Sequence, residues 1–83
     1  MIRALKVKAI ENYLIVVSFE NGEERVYNCY PLLEKKLYAE LRDKAIFMKA
    51  YVDEMGLVCW DNYTDIEPHE LYNNSIPISR FSI

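Results

Sequence analysis

The chain has 83 residues, with ten Lys/Arg against thirteen Asp/Glu and a formal net charge of −3. A chain this short has room for one core, burying roughly 60–65% of its unfolded surface. Its 52% hydrophobic and 28% charged residues exclude a disordered polymer and predict an ordinary globular domain.

Ile2 to Ile10 reads as a half-buried strand, with Leu5, Val7 and Ala9 on one face and Lys6 and Lys8 on the other. Glu11-Asn12 is a polar break. Tyr13 to Phe19 is an almost unbroken β-branched and aromatic run, which predicts a central strand buried on both faces. Glu20-Asn21-Gly22-Glu23 is a hairpin signal, because Asn-Gly tolerates positive φ and strand-like runs flank it. The return strand is Glu24 to Cys29. A two-residue loop would pair Val17 with Val26, and a three-residue loop bulged at Gly22 would pair Ile15 with Tyr27. Both registers satisfy the sequence.

Pro31 ends that strand and opens a short helical turn to Lys36, with Leu32 and Leu33 inward. Leu37, Leu41, Ala45 and Phe47-Met48 continue a loose helical spacing. A break at Arg42-Asp43 gives two short helices, Asp43 capping the second. Ala50 to Asp53 and Leu57 to Trp60 form a second hairpin around Glu54-Met55-Gly56, and Asp61-Asn62 breaks the chain. A last helix starts around Pro68, which suits a first helical turn, with Glu67 or Asp65 as its cap. Residues 1–72 are thus expected to form one α+β domain, in the order β-β-β-α-α-β-β-α, on an antiparallel sheet of about five strands. In residues 73–83, Ile76, Ile78, Phe81 and Ile83 alternate with polar residues, which predicts an added strand rather than a free end.

The chemistry that these residue types can support is narrow. His69 is the only histidine, and Cys29 and Cys59 sit thirty residues apart inside apolar strand patterns. They read as buried, reduced thiols, and no nucleophile–base pair or zinc set converges. Asp61 to Glu67 imitates a calcium loop, but Tyr63 stands where an oxygen ligand belongs and no glycine occupies the sixth position. Gly22 and Gly56 are the only glycines, so a phosphate-cradling loop is excluded. No catalytic residue, cofactor or metal site is expected, and the protein is not expected to be an enzyme. The apolar run Leu14 to Val17 is too short to span a membrane and no signal peptide is read, so a cytoplasmic protein is expected.

Charge divides the chain. Residues 1–50 carry nine Lys/Arg and seven Asp/Glu, whereas residues 51–83 carry six acids and one base, Arg80. An acidic half is unsuited to a phosphate backbone and suited to a basic partner. Trp60, Asp61, Asp65, Glu67 and Glu70 are therefore the candidate interaction surface, Trp60 being either a core anchor or a hot spot.

Taken in order, Phe19-Glu20-Asn21-Gly22-Glu23, Val26-Tyr27, Pro31-Leu32-Leu33-Glu34, Leu41-Arg42-Asp43, Val52-Asp53, Trp60, Asp65-Ile66-Glu67-Pro68 and Leu71-Tyr72 resemble the domain-of-unknown-function family 2442, small bacterial proteins. The likeness spans residues 2–72 and leaves out the tail. It implies an antiparallel α+β fold and no assigned activity. Some relatives look like companions of a second small protein, of the domain-of-unknown-function family 4160, in toxin–antitoxin-like pairs. Others carry a helix-turn-helix domain, which is not read here, so direct DNA binding does not carry over.

The expected function is that of a small protein-interaction module, the antitoxin-like or regulatory partner of a small toxin. Its partner would be another small, basic protein, without direct nucleic acid or membrane contact. Self-association through edge strands or the tail is a further expectation. The alternatives are a transcription-linked regulatory domain acting with a separate DNA-binding chain, and a small ligand-binding domain using Arg42, Asp43, Asp61 and Asp65.

Overall fold

The computed structural model describes residues 2–61 and 64–81. The described residues form seven strands: β1 Ala4–Ile10, β2 Leu14–Phe19, β3 Glu24–Asn28, β4 Tyr51–Val52, β5 Val58–Trp60, β6 Thr64–Asp65 and β7 Ile76–Pro77. Two short α-helices, α1 Lys44–Phe47 and α2 Pro68–Asn74, join several 3-10 turns. The strands form two antiparallel sheets, ordered β1-β2-β3-β7 and β4-β5-β6. The antiparallel α+β fold is the one expected, divided between two sheets rather than gathered into one.

The first hairpin resolves the register. Ile15 pairs with Tyr27 and Val17 with Arg25, so the loop holds three residues, with Gly22 at φ 88°. Asn21 Oδ1 accepts from the Glu23 N–H and tightens the turn.

The expectation for β1 needs correction. Ala4 pairs with Phe19 and Lys6 with Ser18, leaving Leu5 as a bulge. One extra residue shifts the alternation, so Ala4 enters the core and Leu5 is 60% exposed. The expectation for β2 is also corrected: Ile15, Val17 and Phe19 are fully buried, but Leu14, Val16 and Ser18 on the opposite face are only half-covered. The strand is central, yet no second layer of the described residues closes over it.

Between β1 and β2 the chain turns through Asn12 (φ 63°) and Tyr13 (φ 60°), both left-handed. Asn adopts this region readily and Tyr seldom does. Tyr13 is held there by packing. Its ring meets Phe47 edge-on at 5.1 Å, and its hydroxyl donates to the Arg42 carbonyl.

The helical segment breaks at Asp43 as expected, and the Asp43 carboxylate accepts from the Ala45 N–H to cap α1. Before the break the chain winds as 3-10 turns, Tyr30–Glu34 and Lys36–Arg42. Three residues per turn changes which side chains point inward. Leu32, Leu33, Tyr38 and Leu41 are buried, while Leu37 and Met48 are exposed. Glu67 caps α2, and Pro68 is its first residue.

Sequence reasoning missed β6: no strand was read after the Asp61-Asn62 break, and Asp65 was considered as a cap of the last helix. Thr64 pairs with Trp60 and Asp65 with Cys59, making a third strand beside the second hairpin. Asn62, Tyr63 and Ile83, which figured in the expected break, the calcium-like loop and the alternating tail, lie outside the described residues. In the tail, Ile76 pairs with Val26 and Pro77 with Arg25, adding β7 to the first sheet. Proline on an edge strand is tolerated because its missing N–H faces outward.

One core joins the two sheets. The inner face of β1–β3 packs through Ala9, Ile15, Val17, Phe19 and Tyr27 onto Leu33, Leu41, Phe47, Val58, Trp60, Ile66 and Leu71.

Candidate interaction surface

Most of the polar residues that mark the sequence hold the fold together. At the end of the first hairpin, Arg25 is the centre of a lock between β3, α2 and the tail. Its Nε donates to Ser75 Oγ at 2.7 Å and an Nη to the Ser75 carbonyl at 2.6 Å. Its other Nη pairs with Glu23 at 2.8 Å. The guanidinium also lies 4.5 Å over the Tyr72 ring, whose edge meets Phe19 at 5.3 Å. The Tyr72 hydroxyl donates to Glu23. That bond, then Arg25 and Asn21, lower the Glu23 pKa from its ordinary value of 4.5. Nearby, the Tyr27 hydroxyl donates to Glu70 at 2.9 Å, and burial first, then Glu70, raise the Tyr27 pKa.

The same holds further along. Arg42 Nε donates to the Leu33 carbonyl at 2.9 Å. Asp53 Oδ1 accepts from the Met55 and Leu57 N–H groups and shapes the second turn. Trp60 Nε1 donates to the Phe47 carbonyl at 2.9 Å, and its ring stacks on Phe47 with centroids 5.9 Å apart. Trp60 is 1% exposed, which places it in the core and away from the surface to which it was assigned.

The other assigned residues part company. Asp61 and Asp65 are exposed on the outer face of the second sheet. Glu67 is occupied as the α2 cap: its carboxylate accepts from the His69 N–H, which lowers its pKa, and lies 3.1 Å from His69 Nδ1. Glu70 is divided between Tyr27 and Asn74. Arg42 and Asp43 serve the helical segment, so the four polar groups considered for ligand binding do not share one site.

Three residues that sequence reasoning did not assign join Asp61 and Asp65. The pairing Tyr51–Cys59–Asp65 sets those side chains in one row across the sheet. Together with Asp53 and Asp61 they line a shallow open depression. Contact with Cys59 foremost, then burial and Asp61, push the Tyr51 hydroxyl up to about 12. Burial raises the Cys59 thiol as well. Cys59 is buried like Val58 and Trp60 but stands outside the main core cluster, and Asp61 after it is exposed, so this face is legible only once β6 supplies a third strand.

Neither thiol is poised for attack. Cys29 is fully buried and pushed up to about 12, so at neutral pH it is a protonated core group. Among the described residues, no group of three or more His, Cys, Asp and Glu side chains could hold a metal ion. No helix there is long and apolar enough to cross a membrane.

No curated protein and no solved structure matches the chain. A family of proteins of unknown function, DUF2442, matches residues 4–77. The match runs beyond Tyr72 to the end of β7, so it takes in the strand that the sequence reading had left outside. Since it covers nearly the whole chain, the protein belongs to the DUF2442 family.

Proposed function

We propose that the protein is a small protein-interaction module whose partner is a small basic protein, in the manner of an antitoxin-like or regulatory companion of a toxin. The observation that carries this reading is the outer face of the second sheet. Asp53, Asp61 and Asp65 gather around Tyr51 and Cys59. Among the described residues none of the three carboxylates has a Lys, Arg or His ion-pair partner. Glu23 is engaged in the Arg25 lock and Asp43 and Glu67 cap the two helices, whereas Asp61 and Asp65 lie exposed side by side with Asp53 in one depression, so this face offers clustered negative charge to another molecule. Complementary charge chiefly raises the association rate and fixes the partner's orientation.

The test is affinity purification from the native host, comparing the natural chain with Asp61→Lys/Asp65→Lys. A basic protein recovered with the natural chain and lost with the variant supports the proposal. Recovery of the protein alone, or the same partner retained by the variant, counts against it.

A further inference from the structure

β2 is apolar on both sides, yet the chain closes only one of them. The residues left over align across the first sheet. Lys8, Val16, Val26 and Ile76 form one row, Ile10, Leu14 and Asn28 the next, and Lys6, Ser18 and Glu24 the row on the other side. Leu14, Val16 and Ile10 are half-exposed, while Ile76 is 45% exposed. An antiparallel sheet with a solvated face ordinarily alternates apolar-in with polar-out. Here two of the three outward positions of the central strand, Leu14 and Val16, are apolar.

The tail supplies a partial cover. Residues Ile78–Arg80 pack against β3, and Val26 is buried although it stands apart from the main core cluster. The outer face thus has the tail beside β3, while β1 turns Lys6, Lys8 and Ile10 outward.

We propose that a second copy of this chain covers this face, in a symmetric dimer whose two-fold axis runs along β2. A symmetric interface must be complementary to itself. Rotation about that axis sets β1 of each copy over β3 of the other and keeps every row at its own level. Val16 then meets Val16 and Leu14 meets Leu14. Lys6 falls opposite Glu24 of the other copy, twice. Lys6 and Glu24 are exposed, and Lys6 has no ion-pair partner among the described residues. Face-to-face sheets pack within about 30° of alignment, which leaves these facing positions within reach of a lysine side chain.

The face is three strands wide and six residues long, roughly 300 Å² per copy in plan. That is below the roughly 800 Å² per partner of a standard complex, so the dimer is weak and forms at high concentration. The acidic face of the second sheet stays free in it, so this dimer and the proposed basic partner are independent.

Sedimentation velocity from about 10 µM to about 1 mM tests the arrangement, since complexes of this area fall in the weak, transient class. The natural chain is expected to pass from monomer to dimer across that range. Val16→Lys should hold it monomeric with an unchanged far-UV spectrum. Lys6→Glu should weaken association by setting carboxylates against each other, and Glu24→Lys should do so by setting ammonium groups together. The double variant Lys6→Glu/Glu24→Lys should regain the natural dissociation constant. Within one chain these two residues are separated by β2, roughly 10 Å apart, so an internal ion pair would not explain the rescue. A chain that stays monomeric at the highest concentration overturns the proposal. So does a dimer indifferent to Val16→Lys, which would point to pairing at a strand edge, and so does a double variant no better than the singles.

Discussion

Around Arg25 each charged group faces a partner from its own chain, whereas across the outer face of the second sheet Asp61 and Asp65 stand exposed with no ion-pair partner among the described residues. The two regions use the same side-chain types to opposite ends. In the lock, Glu23, Arg25, Tyr72 and Ser75 tie the first hairpin to the last helix and the tail, elements that are fifty residues apart in the chain. On the acidic face Asp53 still shapes a turn, but Asp61 and Asp65 are exposed and contribute to solubility rather than to packing. A polar residue that marks a sequence can therefore serve architecture or recognition, and its hydrogen-bond partners tell which.

The contrast predicts a graded series of effects. The largest belongs to the core that both regions share. Trp60→Ala should cost about 3–5 kcal/mol, because it opens a cavity beside Phe47 and removes the shorter of the two hydrogen bonds to the Phe47 carbonyl, leaving only that from the Ala50 N–H. Native domains retain only about 5–15 kcal/mol in total. Urea unfolding should show this variant largely unfolded or shifted to a much lower midpoint.

Breaking the lock should come next. Arg25 has a side chain only 13% exposed, and Arg25→Ala leaves the Ser75 carbonyl without the guanidinium donor and Glu23 without its ion-pair partner. A loss of about 2 kcal/mol follows from the charged hydrogen bonds and the contact over Tyr72. The lock also responds to acid. Glu23 titrates below its ordinary 4.5 in the folded chain, so its contribution is present above that value and lost as pH falls through the folded pKa. In Glu23→Gln, stability should be lower at neutral pH, and the part of its decline on acidification that comes from Glu23 should vanish in melts recorded from pH 7 to pH 3.

A smaller effect separates the two turns. An alanine Cβ at Gly56 would stand 2.8 Å from Arg3 Cβ, on a backbone at φ 83°. At Gly22 nothing lies within 4 Å, and only the φ of 88° opposes substitution. Gly22→Ala should cost about 1 kcal/mol, and Gly56→Ala visibly more, because Arg3 must also move. Equal melting shifts for the two would contradict the close packing of Arg3 on the second hairpin.

The parts of the fold readable in the sequence are those governed by local chemistry. Asn21-Gly22 announces its hairpin, Asp43 its cap and Pro68 its helix, because each effect acts within a few residues. What escaped depends on partners far along the chain. The bulge at Leu5 follows from how β1 meets Phe19 and Ser18, and it reverses a face that alternation alone assigns wrongly. β6 is two residues long, too short for a periodic pattern, and exists only because β5 lies beside it. Trp60 carried two readings, and the choice between them rests on Phe47, whose carbonyl and ring no local rule connects to it. The acidic character of residues 51–83 was plain from charge alone. Its division into Glu67 and Glu70, which serve α2, and Asp61 and Asp65, which face outward, required the strand pairing.

The central claim is that the lock residues hold the fold while Asp61 and Asp65 do not. Thermal denaturation of Arg25→Ala and of Asp61→Asn/Asp65→Asn, run side by side at neutral pH and low salt, tests it most directly. The account predicts a melting temperature several degrees lower for the first, a loss of about 1 kcal/mol being worth roughly 4–8 °C in a domain of this size. It predicts an unchanged or slightly higher value for the second, since surface changes away from such features stay within about 0.5 kcal/mol. A stable Arg25→Ala, or a marked loss on neutralising Asp61 and Asp65, would contradict it.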